Sequence, residues 1–253
     1  MGVLHRQTIL ILVLTSAASV LLSASVSAQP ITANVIGAKV GKQHKTGGEY
    51  RSGYETDADQ TNVDGRFTDR LDLFYNPLDG IQFRVFFNRV TPPEDDWKWT
   101  SLFIEPAFQL FNAKKHGFDG VLLTGLTLGI ADTAANQGRV IFAGEVPIGQ
   151  WRFRHNSIVA HQFGDLASGG VMYEMRWRVT YQIADHLKGG LEMFNKVSDL
   201  LNDPSSFDES MNRAGVVMEG KIRGGLGFQA GILRGISTVA PDWAAKMWLN
   251  YQI

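Results

Sequence analysis

Strict alternation between apolar and polar side chains at residues 171–183 constrains the fold more than any other feature of the chain. One set of alternate positions is apolar or aromatic: Val171, Tyr173, Met175, Trp177, Val179, Tyr181 and Ile183. The positions between them, from Glu174 to Gln182, are polar. A period of two predicts a β-strand with one apolar and one polar face. Since the pattern recurs along the chain and no helical stripe could cover the resulting sheet, the apolar faces must meet each other or a lipid environment.

The first 28 residues predict a cleaved signal peptide. Arg6 precedes a short apolar stretch at residues 9–22, and Val26-Ser27-Ala28 supplies small residues for cleavage. The apolar stretch is shorter than the ~20 residues that span a bilayer as a helix. We therefore expect an exported chain that begins near Gln29.

Composition excludes several classes of protein. The chain carries 24 Lys and Arg residues against 25 Asp and Glu, so its charge does not favour a nucleic-acid partner. It contains no cysteine, which excludes disulfide frameworks and cysteine metal sites. No zinc-helix spacing of histidines and no glycine-rich phosphate loop occurs, and we predict no cofactor.

Eleven segments show the alternating pattern, and residues 48–56 supply a twelfth, with Tyr50 and Tyr54 outward. The other segments are residues 66–75, 81–90, 97–111, 120–130, 139–146, 151–163, 171–183, 187–195, 214–222, 225–236 and 243–253. Short connections such as Asn76–Gly80 and Pro147–Gln150 alternate with longer ones, the asymmetry of bacterial outer-membrane barrels. The prediction is an all-β fold, a closed antiparallel transmembrane β-barrel of about 12 strands over residues 48–253. Residues 29–47 would be a periplasmic lead-in or plug segment.

A soluble β-sandwich is the alternative fold, because it also contains many alternating strands. Aromatic residues near strand ends favour the barrel, since such rings are enriched at membrane interfaces. These residues are Trp97, Trp99, Trp151, Tyr173, Tyr181, Trp243 and Tyr251.

Two parts of the chain resemble known barrels. Residues 247–253 (Met-Trp-Leu-Asn-Tyr-Gln-Ile) are similar to the C-terminal signature of Gram-negative outer-membrane barrels, with Ile253 in place of the usual Phe. That resemblance implies an outer-membrane location and recognition of the last strand by the barrel-assembly machinery. Residues Glu49–Asn88 and Ala240–Trp243 resemble transport-type barrels associated with aromatic (phenol) degradation. This second resemblance implies a passive pore or another envelope protein.

The predicted inward face carries the candidate lumen and selectivity residues. They are Arg70, Arg84, Glu105, Arg139, Glu145, Arg152, Arg154, Glu174, Arg176 and Arg178. With Lys188, Lys221, Lys246, Asp72, Glu192 and Glu219, this face holds more basic than acidic residues, and a water-filled lumen would favour anions. Alternatively, these charges pair with one another and close the lumen as a salt-bridged core.

The predicted function is a passive, porin-like channel for small solutes, and not an enzyme. A structural barrel with a closed lumen is one alternative. The other is a lipid-hydrolysing esterase, because His155-Asn156-Ser157 resembles the spacing in outer-membrane phospholipase A, although Ile158-Val159 replace its Asn-Gly. Expected partners are outer-membrane lipid and lipopolysaccharide, the latter through divalent cations bound to acidic outer loops unless these loops are merely solvated.

Overall fold

Twelve β-strands account for most of the chain. The computed structural model describes residues 32–57, 59, 64–91, 96–130, 134–167, 170–201 and 204–253, so the predicted signal peptide lies outside the described residues. The strands are β1 (Thr46–Thr56), β2 (Arg66–Leu78), β3 (Ile81–Thr91), β4 (Lys98–Phe111), β5 (Asp119–Gly129), β6 (Asn136–Ile148), β7 (Trp151–Phe163), β8 (Val171–Ala184), β9 (Leu187–Val197), β10 (Met211–Lys221), β11 (Leu226–Gly235) and β12 (Trp243–Gln252). One helical turn, α1 (Ala113–His116), follows β4. No helix in the described part is long and apolar enough to cross a membrane.

The strands form one closed antiparallel barrel. Each strand pairs with its neighbours in sequence, and β1 pairs with β12 from Gly47↔Gln252 to Thr56↔Trp243. Closure leaves no sheet edge, so the backbone hydrogen bonds of the described strands are satisfied within the wall. The predicted 12-stranded antiparallel barrel is confirmed.

Alternation along each strand separates two chemically different faces. On β8 and its neighbour β9 most outward side chains are apolar, and several are exposed, for example Leu191, which is 65% exposed. The inward side chains include charged groups such as Arg178 and Glu192, which are almost fully buried. A soluble protein would expose the charges and bury the apolar groups. The reverse arrangement fits an apolar surround with a polar interior.

The two ends of the barrel differ in their connections. At one end, here called the turn end, residues 79–80, 149–150 and 185–186 are two-residue turns, and both chain termini of the barrel lie there. Gly80 and Gly149 adopt positive φ angles of 76° and 59°, as such hairpin turns require. The opposite end, here called the loop end, carries most of the longer connections, although the β4–β5 connection with α1 lies at the turn end. In outer-membrane barrels the short turns face the periplasm.

Two strands, β2 and β6, are longer at the turn end than the sequence predicted. Asn76-Pro77-Leu78 and Pro147-Ile148 belong to β2 and β6, so both turns shrink to two residues. The β2–β3 register shifts between Tyr75 and Leu78, and this irregularity accommodates Pro77, which has no N–H to donate. A proline is tolerated at such a site because it interrupts few ladder hydrogen bonds.

Candidate functional site

The N-terminal segment (residues 32–43) enters the barrel and lies among inward-facing side chains. Its alternate residues pack against opposite parts of the wall. Ala33 and Val35 join a buried cluster with Phe194, Leu233 and Ala244 of β9, β11 and β12. Ala38, flanked by Ile36 and Val40, packs on the other side against Ala107, Val121, Leu123, Ile141, Ala143 and Ile158 of β4–β7. The segment therefore bridges the lumen from wall to wall.

Two side-chain amides hold the segment much as a neighbouring strand would. Asn156 accepts a hydrogen bond from the Ile36 N–H at 2.6 Å and donates to the Ile36 carbonyl at 3.0 Å. Gln109 accepts from the Val40 N–H at 2.7 Å and donates to the Ala38 carbonyl at 3.0 Å. These contacts satisfy backbone groups that would otherwise be costly to bury.

Three arginines hold the start of the segment. Arg51 donates to the Thr32 carbonyl at 3.2 Å, and Arg176 donates to the Asn34 carbonyl at 2.7 Å. Arg178 donates to the side-chain oxygen of Asn34 at 2.8 Å. Because these guanidinium groups come from β1 and β8, they anchor the segment from opposite sides of the barrel.

All ten candidate lumen residues lie on the inward face, and each takes part in at least one ion pair. On β2–β6, the Asp72 carboxylate forms a bidentate ion pair with Arg70 and a further ion pair with Arg84 at 3.1 Å. Arg84 also lies 3.5 Å from Glu105, which pairs with Arg139. These five residues form a continuous network of charge, here called the Asp72–Glu105 network.

A second network, here called the Glu145–Glu219 network, occupies the opposite part of the wall. Glu145 pairs with Arg152 at 2.7 Å and with Arg154. Glu219 forms ion pairs with Arg154 at 3.0 Å and with Arg178 at 3.1 Å. These two pairs connect β10 to β7 and β8. Arg178 also pairs with Glu192 at 2.8 Å, and Lys246 contacts the same carboxylate. The remaining candidates, Arg176 and Glu174, pair with each other.

Sequence reasoning missed several lumen charges. Glu49 and Arg51 lie opposite the outward tyrosines of β1, and Glu55, predicted as part of an acidic outer loop, is a buried residue of β1. Lys196 and Arg213 lie just outside the predicted strands 187–195 and 214–222, whereas Arg66 lies inside the predicted strand 66–75, two turns of the alternation before the inward Arg70. Arg213 lies 2.7 Å from Glu55, and Arg66 contacts the same carboxylate at 2.7 Å. Longer strands would include Lys196 and Arg213, and the alternation within residues 48–56 and 66–75 already turns the other four inward.

The segment's docking surface was also missed, although the sequence contains a signal for it. Val121 to Leu123 on β5 and Val140 to Ala143 on β6 are continuously apolar, so both faces of these strands are apolar. An inward apolar face in a barrel needs a covering partner. Residues 32–43 are that partner in the structure.

Cavities remain beside the segment in the described part of the lumen. The loop-end cavity has a volume of about 210 Å³, and Thr32 and Ala33 of the segment line part of it. The turn-end cavity, about 470 Å³, lies on one side of the segment beside Arg152 and Lys188. A third space of about 200 Å³ lies on the other side, beside Lys39 and Arg84. Solvent-sized space therefore exists on both sides of the segment.

His155 and Ser157 point outward from β7. His155 Nε2 lies 2.7 Å from Ser157 Oγ, and the Tyr173 hydroxyl donates to the same oxygen at 3.3 Å. The imidazole packs on Trp177, with ring centroids 4.0 Å apart. Its Nδ1 is buried and has no hydrogen-bond partner among the described residues. A nucleophile and base are thus adjacent, but no described carboxylate orients the base as a catalytic triad requires.

A closed antiparallel barrel with a polar interior and an apolar exterior is the architecture of outer-membrane β-barrels. No family model matches the sequence, and no curated protein does. Among solved structures, an outer membrane channel from Pseudomonas putida F1 superimposes with a TM-score of 0.65 at 12% identity, covering 90% of this chain and 100% of that one. The NanC porin superimposes with a TM-score of 0.57 at 10% identity, covering 81% of this chain and 100% of that one. The chain therefore has the fold of outer-membrane channels.

Proposed function

We propose that this protein is an outer-membrane channel through which small solutes pass passively, with a preference for anions. On this proposal the signal peptide directs export, and the barrel-assembly machinery reads β12. The resemblance of Glu49–Asn88 and Ala240–Trp243 to transport-type barrels supports a place among the barrels associated with aromatic degradation.

The charge of the lumen cavities carries the proposal. Five basic residues line the loop-end cavity against one acidic residue: Arg51, Arg70, Arg139, Arg176 and Lys196 against Glu174. Five line the turn-end cavity against three: Arg152, Arg154, Arg178, Lys188 and Lys221 against Glu49, Asp185 and Glu219. Ion pairing reduces this excess but does not cancel it. A basic lining raises the local concentration of anions and lowers that of cations.

The N-terminal segment restricts the proposal to small solutes. A 12-stranded barrel lies between small barrels that side chains fill and the wide barrels of 16–18 strands. Residues 32–43 then occupy much of the remaining space between the two walls. Passage therefore depends on the narrow spaces beside the segment or on its movement.

Arg152 offers the sharpest test of anion preference. Its side chain is 39% exposed, more than those of the other paired lumen arginines, and its partner Glu145 keeps a second pair with Arg154. In planar bilayers under a salt gradient, we expect Arg152→Glu to shift the reversal potential toward cation selectivity while conductance persists. The matched control is Arg223→Glu, which makes the same charge change in an exposed turn at the same end of the barrel and should leave the reversal potential unchanged.

The same preparation separates the alternatives. Folded wild-type protein that gives silent bilayers would contradict the channel and support a structural barrel with a closed lumen. Lipid release that disappears in Ser157→Ala would support the esterase instead. We expect defined current steps and no lipid release from either protein.

A further inference from the structure

Two arginines and two phenylalanines form a continuous stack along one wall of the loop-end cavity. The Arg70 guanidinium lies 3.3 Å from the centre of the Phe86 ring, and Phe86 stacks on Phe103 with centroids 4.3 Å apart. Arg139 lies 3.8 Å from the centre of the Phe103 ring. This Arg–Phe column (Arg70, Phe86, Phe103 and Arg139) fixes both guanidinium planes, because cation–π contacts and ion pairs restrain them together.

The net positive charge of the loop-end cavity favours an anion over a cation. Its lining contributes five cationic groups and one carboxylate. Asp72 and Glu105, which pair with Arg70 and Arg139 from the neighbouring network, still leave cations in excess. Such an excess in a confined space favours an anionic ligand, and more strongly than in open water.

The rest of the lining combines uncharged polar side chains with a small apolar patch. The apolar patch includes Ile36, Ile158, Ala160 and Met172. At about 210 Å³ the cavity is smaller than the ~300 Å³ at which pockets for drug-sized ligands begin. The space suits a ligand with a short apolar part and one charged group.

Two polar atoms at the cavity wall have no partner among the described residues. These are the Nε of Arg139 and the hydroxyl oxygen of Thr127, both buried. Buried donors without partners are uncommon in native proteins and often indicate a water or ligand position. Carboxylate oxygens can accept from both groups.

We propose that the loop-end cavity is a binding site for a short-chain alkyl carboxylate. Its carboxylate lies among Arg139, Arg176 and the Thr127 hydroxyl, and its alkyl chain contacts Ile158 and Met172. The proposal deepens the proposed function, since it names the class of anion that the channel would take. Binding can be measured in solution without any flux, so failure of this site and failure of conduction remain distinguishable.

Calorimetric titration of the full barrel in maltoside micelles, at fixed ionic strength, tests the site with four probes. We expect hexanoate to bind at least about tenfold more tightly than hexanol, which lacks the charge, and than acetate, which lacks the chain. Hexylammonium should not bind measurably. Equal binding of hexanol would show a merely apolar cavity, and equal binding of acetate would show a general anion atmosphere. Either outcome, or no binding of hexanoate, would overturn the proposal.

Two variants assign binding to this cavity. Arg139→Gln removes one charge but keeps a hydrogen-bond donor for Glu105, and Glu105 also retains its pair with Arg84. This variant should weaken hexanoate binding about tenfold or more. Thr127→Val keeps the shape of the side chain and should weaken binding severalfold, with the barrel intact on heat-modifiability gels. Arg223→Gln, in the exposed turn, is the matched control and should bind hexanoate as the wild type does. Wild-type affinity in both cavity variants would place the ligand elsewhere and refute the site.

Discussion

Asn156 illustrates how one residue can couple the wall of the barrel to the segment inside it. Its side chain is fully buried and forms both a donor and an acceptor hydrogen bond with Ile36. The residue stands between His155 and Ser157, whose side chains point to the opposite face. Alternation thus gives consecutive residues unrelated environments, and an inward asparagine at this position acts on the segment.

We expect Asn156→Ala to loosen the segment without opening the wall. Loss of both hydrogen bonds leaves the Ile36 N–H and carbonyl without partners, at a cost of about 1–3 kcal/mol each where water cannot replace the amide. Single-channel recordings should therefore show more frequent visits to a higher-conductance level than in the wild type. Asn195→Ala removes another buried asparagine, one that donates to Asn212 and does not contact the segment, and should leave the current pattern unchanged. Identical recordings from both variants would refute a holding role for Asn156.

Strands β4–β6 show how one element makes room for another. The inward position of β5 beside the Arg–Phe column is Gly125, and a Cβ there would overlap the Phe103 ring and lie 3.4 Å from Arg139. The missing side chain lets Phe103 and Arg139 stack across the strand that separates them. Gly125 is therefore a packing glycine, in an extended strand where most residues would be allowed.

Gly125→Ala should destabilise the barrel by about 1–3 kcal/mol, because an added methyl in a packed site forces side chains off their preferred rotamers. Gly138→Ala, on the adjacent strand β6, is the matched control. Nothing lies within 4 Å of its added Cβ, and the change should stay within about 0.5 kcal/mol. Urea unfolding in lipid vesicles gives both values. Equal stability of the two variants would mean that the Arg–Phe column adjusts without strain.

On the scale of the whole molecule, the sequence predicted what lipid and strand geometry impose. A wall that faces lipid must alternate, and its short turns need residues such as Gly80 and Gly149, so strand number and orientation of the faces could be read directly. Contacts across the lumen have no such period. Arg213 reaches Glu55 over two intervening strands, and Ile36 meets Asn156 from a distance of 120 residues along the chain. The sequence could therefore predict which charges face inward, but not which of them pair with each other and which hold the segment.

Separate roles for wall and segment lead to a prediction about the complete barrel. Closure depends on the β1–β12 pairing from Gly47 to Thr56, in which residues 32–43 take no part. A chain that lacks residues 29–43 should therefore still insert as a closed barrel, but with severalfold higher conductance, because the lumen no longer contains the segment. Anion preference should persist, since Arg152, Arg154 and Arg178 belong to the wall.

A second chain distinguishes lost contacts from lost volume. Replacement of residues 32–43 by a Gly/Ser sequence of equal length keeps a tether but removes the apolar packing and the backbone register that Asn156 and Gln109 recognise. If these contacts hold the segment across the lumen, this chain should conduct nearly as well as the deletion, with added current noise from the mobile tether. Wild-type conductance in the deletion itself would show instead that the ion path avoids the segment. The Asp72–Glu105 network and the Glu145–Glu219 network would then set the narrowest point of the path.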